Sequence, residues 1–256
     1  MFEKEYQSHN GVTAGSRNTV MGDGNIVGGA NNRIIDGEGT ADYGLIAGYE
    51  NNVHHYCGIT AGYQNTVLKK QGIIAGEKGT LDSENSIVTG YGIDCYGSEN
   101  AAFGQRNSIY GHQCFVSGAR NRVGLRETDL SISESFVTGY YNFANHWAQN
   151  LLGVGLVGSS KQGTTDDVRY IGTCQTIVGR ANEIIDDALL VVGNGQITDS
   201  GTESEIVKSR SNAFIVYDDG RAAIGADPTQ AMDVVTKQYL EAKIAELEAK
   251  IAELTK

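Results

Sequence analysis

Apolar residues recur along this chain at a fixed interval, in a constant relation to glycine. From Gly48 to Gly118 a glycine returns every 14 residues. Three residues before it lie Leu45, Ile59, Ile73, Ile87, Ala101 and Phe115, and two before it lie Ile46, Thr60, Ile74, Val88, Ala102 and Val116. Five residues after it lie Val53, Val67, Leu81, Cys95, Ile109 and Val123. Because a glycine in every unit disfavours helix, the pattern predicts short strands joined by turns.

A shorter period of 7 residues underlies the one of 14. Gly15, Gly22 and Gly29 are each followed three residues later by an asparagine. Glycine and asparagine adopt the left-handed backbone conformations of tight turns at low steric cost, so we expect them to supply those conformations here. Stacked asparagines are also expected to hydrogen-bond along the column. The sequence therefore predicts an all-β solenoid with 14-residue turns and glycine at the corner, and it disfavours hexapeptide β-helices, which repeat in sixes.

The two apolar columns before the glycine are adjacent in sequence. Successive side chains of a strand point to opposite faces, so only one of these columns can line the interior of a roll. The other column then needs a second chain to cover it. Oligomerisation is therefore expected from the pattern alone.

The pattern changes near the C-terminus. Apolar residues fall at Leu240, Ile244, Leu247, Ile251 and Leu254, the 4–3 spacing of a short parallel coiled coil. Lys243 and Lys250 are placed to pair with acidic flanks of a neighbouring helix. Before it, SNAFIVYDDGRAAIG (211–225) predicts a strand, an Asp-Gly turn and a strand. The predicted domains are a head at 1–195, irregular at 124–135 and 154–178, a β-rich neck at 196–230, and a trimerisation segment at 231–256.

Two parts of the chain resemble known families. The 14-residue unit, with strands such as SIVTG and IIAG between Asn-bearing turns, resembles the YadA-like head repeat of trimeric autotransporter adhesins over roughly residues 11–195. This resemblance implies a left-handed parallel β-roll that assembles as a homotrimer. ALLVVGNG (188–195), SRSNAFIVYDDGRAAIG (209–225) and AMDVVTKQYLEAKI (231–244) look like the distal parts of phage and prophage tail fibres.

These resemblances imply a non-enzymatic attachment function. We expect a phage or prophage tail-fibre or receptor-binding protein that recognises a glycan or protein on a bacterial surface. The alternative is a trimeric bacterial surface adhesin head that binds host matrix, and a polysaccharide-degrading tailspike comes third. The sequence has neither the secretion signal nor the membrane anchor of a full autotransporter, which favours the phage hypothesis. We therefore expect the chain to be made in the cytoplasm without a signal peptide and to be extracellular, in the virion tail fibre, after assembly.

Composition narrows the expected partners. The net charge is −11 without a basic cluster, so a nucleic-acid partner is not expected. No 18-residue apolar run occurs, so membrane insertion is not expected either. The four cysteines form no CxxC pair, which favours a reducing compartment, and Cys95 occupies a core position of the repeat.

Candidate catalytic and metal-binding residues are few. The carboxylate pairs are Asp166/Asp167, Asp186/Asp187 and Asp218/Asp219. Adjacent residues of a strand point apart, and Asp218-Asp219-Gly220 fits a hairpin turn, so no catalytic pair is predicted. His54 and His55 could bind a metal on a three-fold axis, but two adjacent histidines also fit a solvated turn. We predict neither a metal nor a cofactor.

Aromatic residues give the candidate binding site. Tyr49, Tyr63, Tyr91 and Tyr140 each follow a corner glycine, so they are expected to form a stripe along one edge. The polar insertion 124–135, which contains Arg126, precedes the run YYNFANHW, which contains Tyr140, Tyr141, His146 and Trp147. We expect loop and rings to share one neighbourhood and to contact the receptor, since recognition concentrates on insertions and aromatic side chains. Packing in a trimer interface is the alternative.

Overall fold

The computed structural model of this chain describes residues 11–35, 43–54, 58–124, 132–159, 174–198, 206–228, 230 and 234–255. Most strands are parallel and wind into a β-solenoid of about 11 turns, followed by one C-terminal helix. Each regular turn places one strand in each of two sheets, which we call sheet A and sheet B. The predicted all-β solenoid fold is therefore confirmed.

Sheet A contains the longer strand of each turn. Its parallel strands are Val12–Ser16 (β1), Ile26–Ala30 (β3), Leu45–Tyr49 (β5), Ile59–Tyr63 (β7), Ile73–Glu77 (β9), Ile87–Tyr91 (β11), Ala101–Gln105 (β13), Phe115–Ala119 (β15), Phe136–Tyr140 (β18), Asn150–Val154 (β20), Thr176–Arg180 (β21) and Ala188–Asn194 (β22). Glycine pairs with glycine from one strand to the next, as in Gly48 with Gly62 and Gly62 with Gly76. The 14-residue period is thus the distance between stacked strands.

Sheet B contains the second strand of each turn. Its strands are Thr19–Val20 (β2), Arg33–Ile34 (β4), Asn52–Val53 (β6), Thr66–Val67 (β8), Thr80–Glu84 (β10), Asp94–Ser98 (β12), Ser108–His112 (β14), Arg122–Val123 (β16), Ile132–Ser133 (β17) and Phe143–Ala144 (β19). The two predicted irregular segments leave the stacking intact, since β15 pairs with β18 and β20 pairs with β21. The stacking of sheet A is therefore continuous across both segments.

The core lies between the two sheets. Sheet A contributes its second-position residues, among them Val27, Ile46, Ile74, Val88, Ala102, Val116 and Val137. Sheet B contributes Ile34, Val53, Val67, Leu81, Cys95, Ile109 and Val123. The column that begins with Leu45 faces the other way and is exposed. The chain thus has one interior, as the paired columns predicted.

Sheet A strands end at the first corner, where the chain crosses to sheet B. The glycine there has a positive φ, and a Cβ on Gly104 would lie 2.0 Å from the carbonyl oxygen of Gly118. The corner asparagine was expected to adopt a left-handed conformation as well. Instead the residue before it does so, such as Glu50 (φ 57°) or Arg120 (φ 56°). The expectation was wrong because the asparagine side chain is needed inside the turn.

The corner asparagines form the predicted hydrogen-bonded column. Asn65 donates its backbone N–H to Asn51 Oδ1 at 3.1 Å, and its side-chain amide donates to the carbonyl of Gly76 at 2.9 Å. The same bonds recur at Asn32, Asn51, Asn121 and Asn142. Each asparagine thereby satisfies buried backbone groups of its own and neighbouring turns.

The second corner, where sheet B strands return to sheet A, uses several residue types for the same purpose. The N–H of Asn100 donates to Ser86 Oγ at 2.9 Å, and the N–H of Cys114 donates to Asn100 Oδ1 at 3.0 Å. Two turns further on, Ser135 Oγ accepts from the N–H of Gln149 at 3.3 Å. No single residue type therefore marks this corner in the sequence.

In the neck, two strands continue sheet A in the antiparallel sense, and two others pair with each other in a separate antiparallel sheet. Its strands are Gln196–Ile197 (β23), Val207–Ser209 (β24), Asn212–Tyr217 (β25) and Ala222–Ile224 (β26). β25 pairs with both β22 and β26, and the N–H of Tyr217 donates to the carbonyl of Arg221 at 2.9 Å across the turn. The strand–turn–strand prediction is therefore confirmed.

The C-terminal helix is Lys237–Leu254 (α1). Thr236 caps it by accepting the N–H of Tyr239 at 3.0 Å. Its five seam residues are between 46% and 87% exposed. In the single chain, Lys243 and Lys250 both contact Glu246 of the same helix, at 2.9 and 2.8 Å. These contacts hold the charges beside an uncovered apolar seam.

Candidate functional site

The outer face of sheet A carries a continuous apolar column. Its large members are Ile26, Leu45, Ile59, Ile73, Ile87, Phe115 and Phe136, each between 36% and 53% exposed. Phe115 stacks on Phe136 with ring centroids 5.0 Å apart, and Phe103 lies 5.6 Å from Phe115. An apolar surface of this extent on a protein usually marks an interface.

The predicted tyrosine stripe lies along the edge of sheet A at the first corner. The register aligns Tyr49, Tyr63, Glu77, Tyr91, Gln105, Ala119 and Tyr140 in one column. Tyr49 and Tyr63 stack at 5.7 Å, and Lys78 Nζ lies 6.0 Å from the ring of Tyr63 and 5.6 Å from that of Tyr91. Lys78 also pairs with Glu77 at 3.2 Å. The structure thus brings these four tyrosines to one edge, as the repeat predicted.

Tyr140 and Tyr141 lie together at this corner around an arginine. Their rings meet edge to face at 4.5 Å. Arg120 Nη1 donates to the hydroxyl of Tyr140 at 3.2 Å and also to the hydroxyl of Tyr141. The Arg120 guanidinium lies 5.0 Å from the ring centroid of Tyr141. The two rings therefore hold a cation in a fixed position.

Sequence reasoning missed a second group of rings on the adjoining face of sheet B. Tyr96 stacks on Tyr110 at 5.0 Å. The Arg122 guanidinium lies 5.9 Å from the ring of Tyr110 and 5.2 Å from that of Phe143. The 14-residue spacing of Tyr96 and Tyr110 in the sequence could have indicated this group. In the structure, Arg122 and Phe143 pair in register. Their columns lie on the strand that the corner glycine does not mark.

His146 and Trp147 are not beside Tyr140 and Tyr141, which corrects the expected single neighbourhood. They lie at the second corner, where the N–H of Cys174 donates to the carbonyl of Trp147 at 3.2 Å. Tyr140 ends β18, whereas Trp147 precedes β20, so a strand length of about 15 Å separates the two edges of sheet A. The six residues between Tyr140 and Trp147 cross sheet B and so carry the chain to the other edge. Arg126 lies outside the described residues.

The environment of His146 is local. Its Nδ1 accepts the backbone N–H of Trp147 at 2.8 Å, and the two ring centroids are 6.4 Å apart. Burial lowers the pKa of His146 below its ordinary value, so the ring is neutral at pH 7. Trp147 is 45% exposed. This edge therefore presents an indole ring next to an uncharged histidine.

The carboxylate pairs have structural partners. Asp186 and Asp187 lie in a turn rather than on a strand, and Asp186 accepts from Ser159 Oγ at 2.5 Å. Asp219 accepts from Arg221 Nε at 2.5 Å, and this hydrogen bond lowers the pKa of Asp219. Asp166, Asp167 and His55 lie outside the described residues. Within the described ranges, no three histidine, cysteine or acidic side chains are grouped so that they could hold a metal ion.

The described cysteines are Cys95, Cys114 and Cys174, and all are free thiols. Cys95 and Cys114 are buried, and burial raises the pKa of each thiol to about 11. Cys95 packs in the core, as its place in the repeat predicted. Buried thiols of this kind behave as small apolar side chains.

Comparison with known proteins adds no family. The chain matches no model of a known protein family, and it has no significant match among curated proteins. Within the described ranges, α1 and the rest of the chain provide no helix with the length and apolar character needed to cross a bilayer.

Proposed function

We propose that this chain is a homotrimeric attachment protein, the receptor-binding part of a phage or prophage tail fibre. The observation that carries the proposal is the exposed apolar column of sheet A. It follows eight successive strands, from β3 to β18, which spans about 34 Å at one strand spacing per turn. A second copy of the chain is the occupant that the repeat itself suggests, because an identical repeat presents the same spacing.

The uncovered seam of α1 supports the same assembly. The seam residues repeat at 4 and 3, the pattern of parallel coiled coils, and they are exposed in the single chain. If the chains are related by a single rotation axis, assembly would bury both the seam of α1 and the apolar outer face of sheet A. The resemblance of the repeat to trimeric adhesin heads favours three chains over two.

Attachment fits the remaining surface better than catalysis does. The described acidic pairs are engaged by serine or arginine, whereas partly exposed aromatic rings and cations line the first corner. A rigid trimer presents each such surface three times, so weak contacts add through multivalency. A bacterial surface adhesin head is the second candidate, favoured by the same YadA-like repeat.

Light scattering coupled to size exclusion tests the assembly. We expect three times the chain mass of 27.3 kDa. Ile87→Asp places a charge on the outer face of sheet A and should produce monomers or aggregates. Thr66→Asp, on the outer face of sheet B, is the matched control and should remain trimeric. A monomeric wild-type chain would contradict the proposal.

Binding of the fluorescent wild-type trimer tests the function. We expect it to label a subset of strains in a bacterial panel and not surfaces coated with host matrix proteins. Labelling of matrix alone would favour the adhesin. Shortened chains after incubation with bacterial polysaccharide would indicate a tailspike hydrolase.

A further inference from the structure

We infer that the first corner carries a binding site for an anionic glycan, formed by Arg106, Arg120 and Arg122 with the rings beside them. We call these three residues the arginine corner. The inference rests on the proposed attachment function and specifies its receptor class. It concerns a chemistry, sugar rings bearing carboxylate or phosphate groups, rather than a particular polymer.

Charge is distributed unevenly around this part of the solenoid. The four successive first-corner segments 105–108, 119–122, 140–143 and 154–157 contain the three arginines and no acidic residue. The chain as a whole has a net charge of −11. A local positive potential on an acidic protein draws an anionic group to one place and disfavours binding elsewhere.

The guanidinium groups are held in position by neighbours that do not neutralise them. Arg120 donates to the hydroxyls of Tyr140 and Tyr141. Arg122 Nε donates to the carbonyl of Gly124 at 3.0 Å, between the rings of Tyr110 and Phe143. Because these contacts fix the planar forks before a ligand arrives, less entropy is lost on binding.

Among the described residues, the arginine corner has no acidic partner. Lys78, lower on the same edge, pairs with Glu77, but none of Arg106, Arg120 and Arg122 makes an ion pair with another described residue. Arg106 and Arg120 occupy the same position in adjacent turns, about one strand spacing of 4.8 Å apart. Like charges at this distance repel each other, and an anion between them would relieve that repulsion.

The rings select the class of anion. Tyr91, Tyr110, Tyr140, Tyr141 and Phe143 are half-buried, so parts of their surfaces reach solvent beside the arginines. Aromatic faces stack on the apolar faces of sugar rings, while guanidinium forks bind carboxylate or phosphate in bidentate geometry. An anionic glycan supplies both groups in one repeating chain. A nucleic acid is disfavoured, since its continuous charge would meet the acidic remainder of the surface.

Glycan binding by the full-length trimer tests the inference. Three immobilised probes would be a uronate polymer, a glycerol-phosphate polymer and a neutral glucan of similar length, with a DNA oligonucleotide as a fourth. We expect binding to one or both anionic glycans, weakened by added NaCl, and the two arms distinguish carboxylate from phosphate. The double variant Arg120→Gln/Arg122→Gln should weaken this binding at least about tenfold, because charge-assisted hydrogen bonds are lost.

A matched control lies at the other end of the solenoid. Arg17 precedes a corner asparagine as Arg120 does, and Arg33 aligns with Arg122 in sheet B. Arg17→Gln/Arg33→Gln removes the same charge from equivalent positions and should retain wild-type binding. Light scattering and circular dichroism would verify that both variants form the folded trimer.

Three results with the wild-type trimer would overturn the inference: binding to the neutral glucan only, binding to DNA as tightly as to the anionic glycans, or binding to none of the probes. Equal losses of binding in the two double variants would also overturn it. Failure of Arg120→Gln/Arg122→Gln to assemble would place these arginines between subunits, which also overturns it. If the trimer labels bacteria and Arg120→Gln/Arg122→Gln labels them equally, attachment stands and the arginine corner is not its site.

Discussion

The two corners of the solenoid perform one task with different residues. At the first corner, a glycine of positive φ is followed three residues later by asparagine in most turns, as at Gly62 and Asn65. At the second corner, the equivalent position holds asparagine, glycine, serine, cysteine or glutamine, as at Asn25, Gly44, Ser86, Cys114 and Gln149. Both positions are buried, and both corners place a left-handed residue just before them.

The difference shows what each corner requires. The first corner needs glycine because successive turns approach so closely that a Cβ would meet the next carbonyl. At the second corner this close approach recurs at Gly97, but Ser83 occupies the aligned position one turn earlier, so glycine is not required there in every turn. A strict steric requirement leaves a visible period in the sequence. A hydrogen-bonding requirement that several residue types satisfy does not.

The largest expected difference in stability is between alanine substitutions at two adjacent glycines of β3. Gly29 has φ 105°, and its Cβ would lie 1.9 Å from the carbonyl oxygen of Gly48. Gly29→Ala should lower the free energy of unfolding by more than about 3 kcal/mol, because backbone strain and overlap add. Urea unfolding followed by circular dichroism at fixed protein concentration measures it.

Gly28→Ala is the matched control one residue away. No atom lies within 4 Å of its added Cβ, and the register places Ala47 and Ala61 at the equivalent positions. We expect unchanged or slightly increased stability, since alanine restricts the unfolded chain. Equal losses in the two variants would show that close approach does not explain the glycine column.

A smaller difference in stability is expected between alanine substitutions of the hydrogen-bonding side chains at the two corners. Asn121 Oδ1 accepts from the N–H of Asn142 at 3.0 Å, and its amide donates to the carbonyls of Ser117 and Gly139 at 2.7 and 2.9 Å. Asn121→Ala removes these three hydrogen bonds, including the buried one from the N–H of Asn142, and should cost about 2 to 4 kcal/mol. Urea titrations of the variant and the wild-type protein would measure the loss.

Ser135→Ala makes the corresponding change at the second corner. Ser135 Oγ contacts the N–H of Gln149 and the carbonyl of His146, both at 3.3 Å, so two longer bonds are lost. We expect a cost of about 1 kcal/mol. A loss as large as that of Asn121→Ala would mean that the two corners depend equally on their side chains.

The repeat made most of the fold predictable. The Leu45 and Ile46 columns indicated one buried and one exposed face, and the heptad at Leu240–Leu254 indicated the helix. What the sequence did not indicate was the left-handed residue before each asparagine, such as Gln64. Residues as different as Glu50, Gln64 and Arg120 occupy this position, so the residue type does not report the backbone conformation.

The candidate site was less predictable than the fold. Register placed Tyr49, Tyr63, Tyr91 and Tyr140 on one edge, because each follows a corner glycine. Proximity in sequence wrongly joined Tyr141 to Trp147, since seven residues of a solenoid are half a turn. Tyr110 and Arg122 were missed because contacts across neighbouring turns involve residues about 14 positions apart. In this fold, residues separated by less than one full turn can lie far apart, whereas residues one turn apart are neighbours.

The smallest expected effect is a pH dependence confined to the second corner. Burial lowers the pKa of His146 in the folded chain below its ordinary value of 6.5. The unfolded chain therefore binds a proton more readily, and the stability that His146 contributes is present above pH 6.5 and declines as the pH falls below that value. His146→Gln should remove this decline, and His112→Gln, which changes another histidine, should retain it. Since His146 is only half-buried, the change between pH 7 and pH 5 should be smaller than the loss from Ser135→Ala. Thermal midpoints measured over that range, and compared with those of both variants, would show it. A wild-type decline that persists in His146→Gln would assign the pH dependence to other groups.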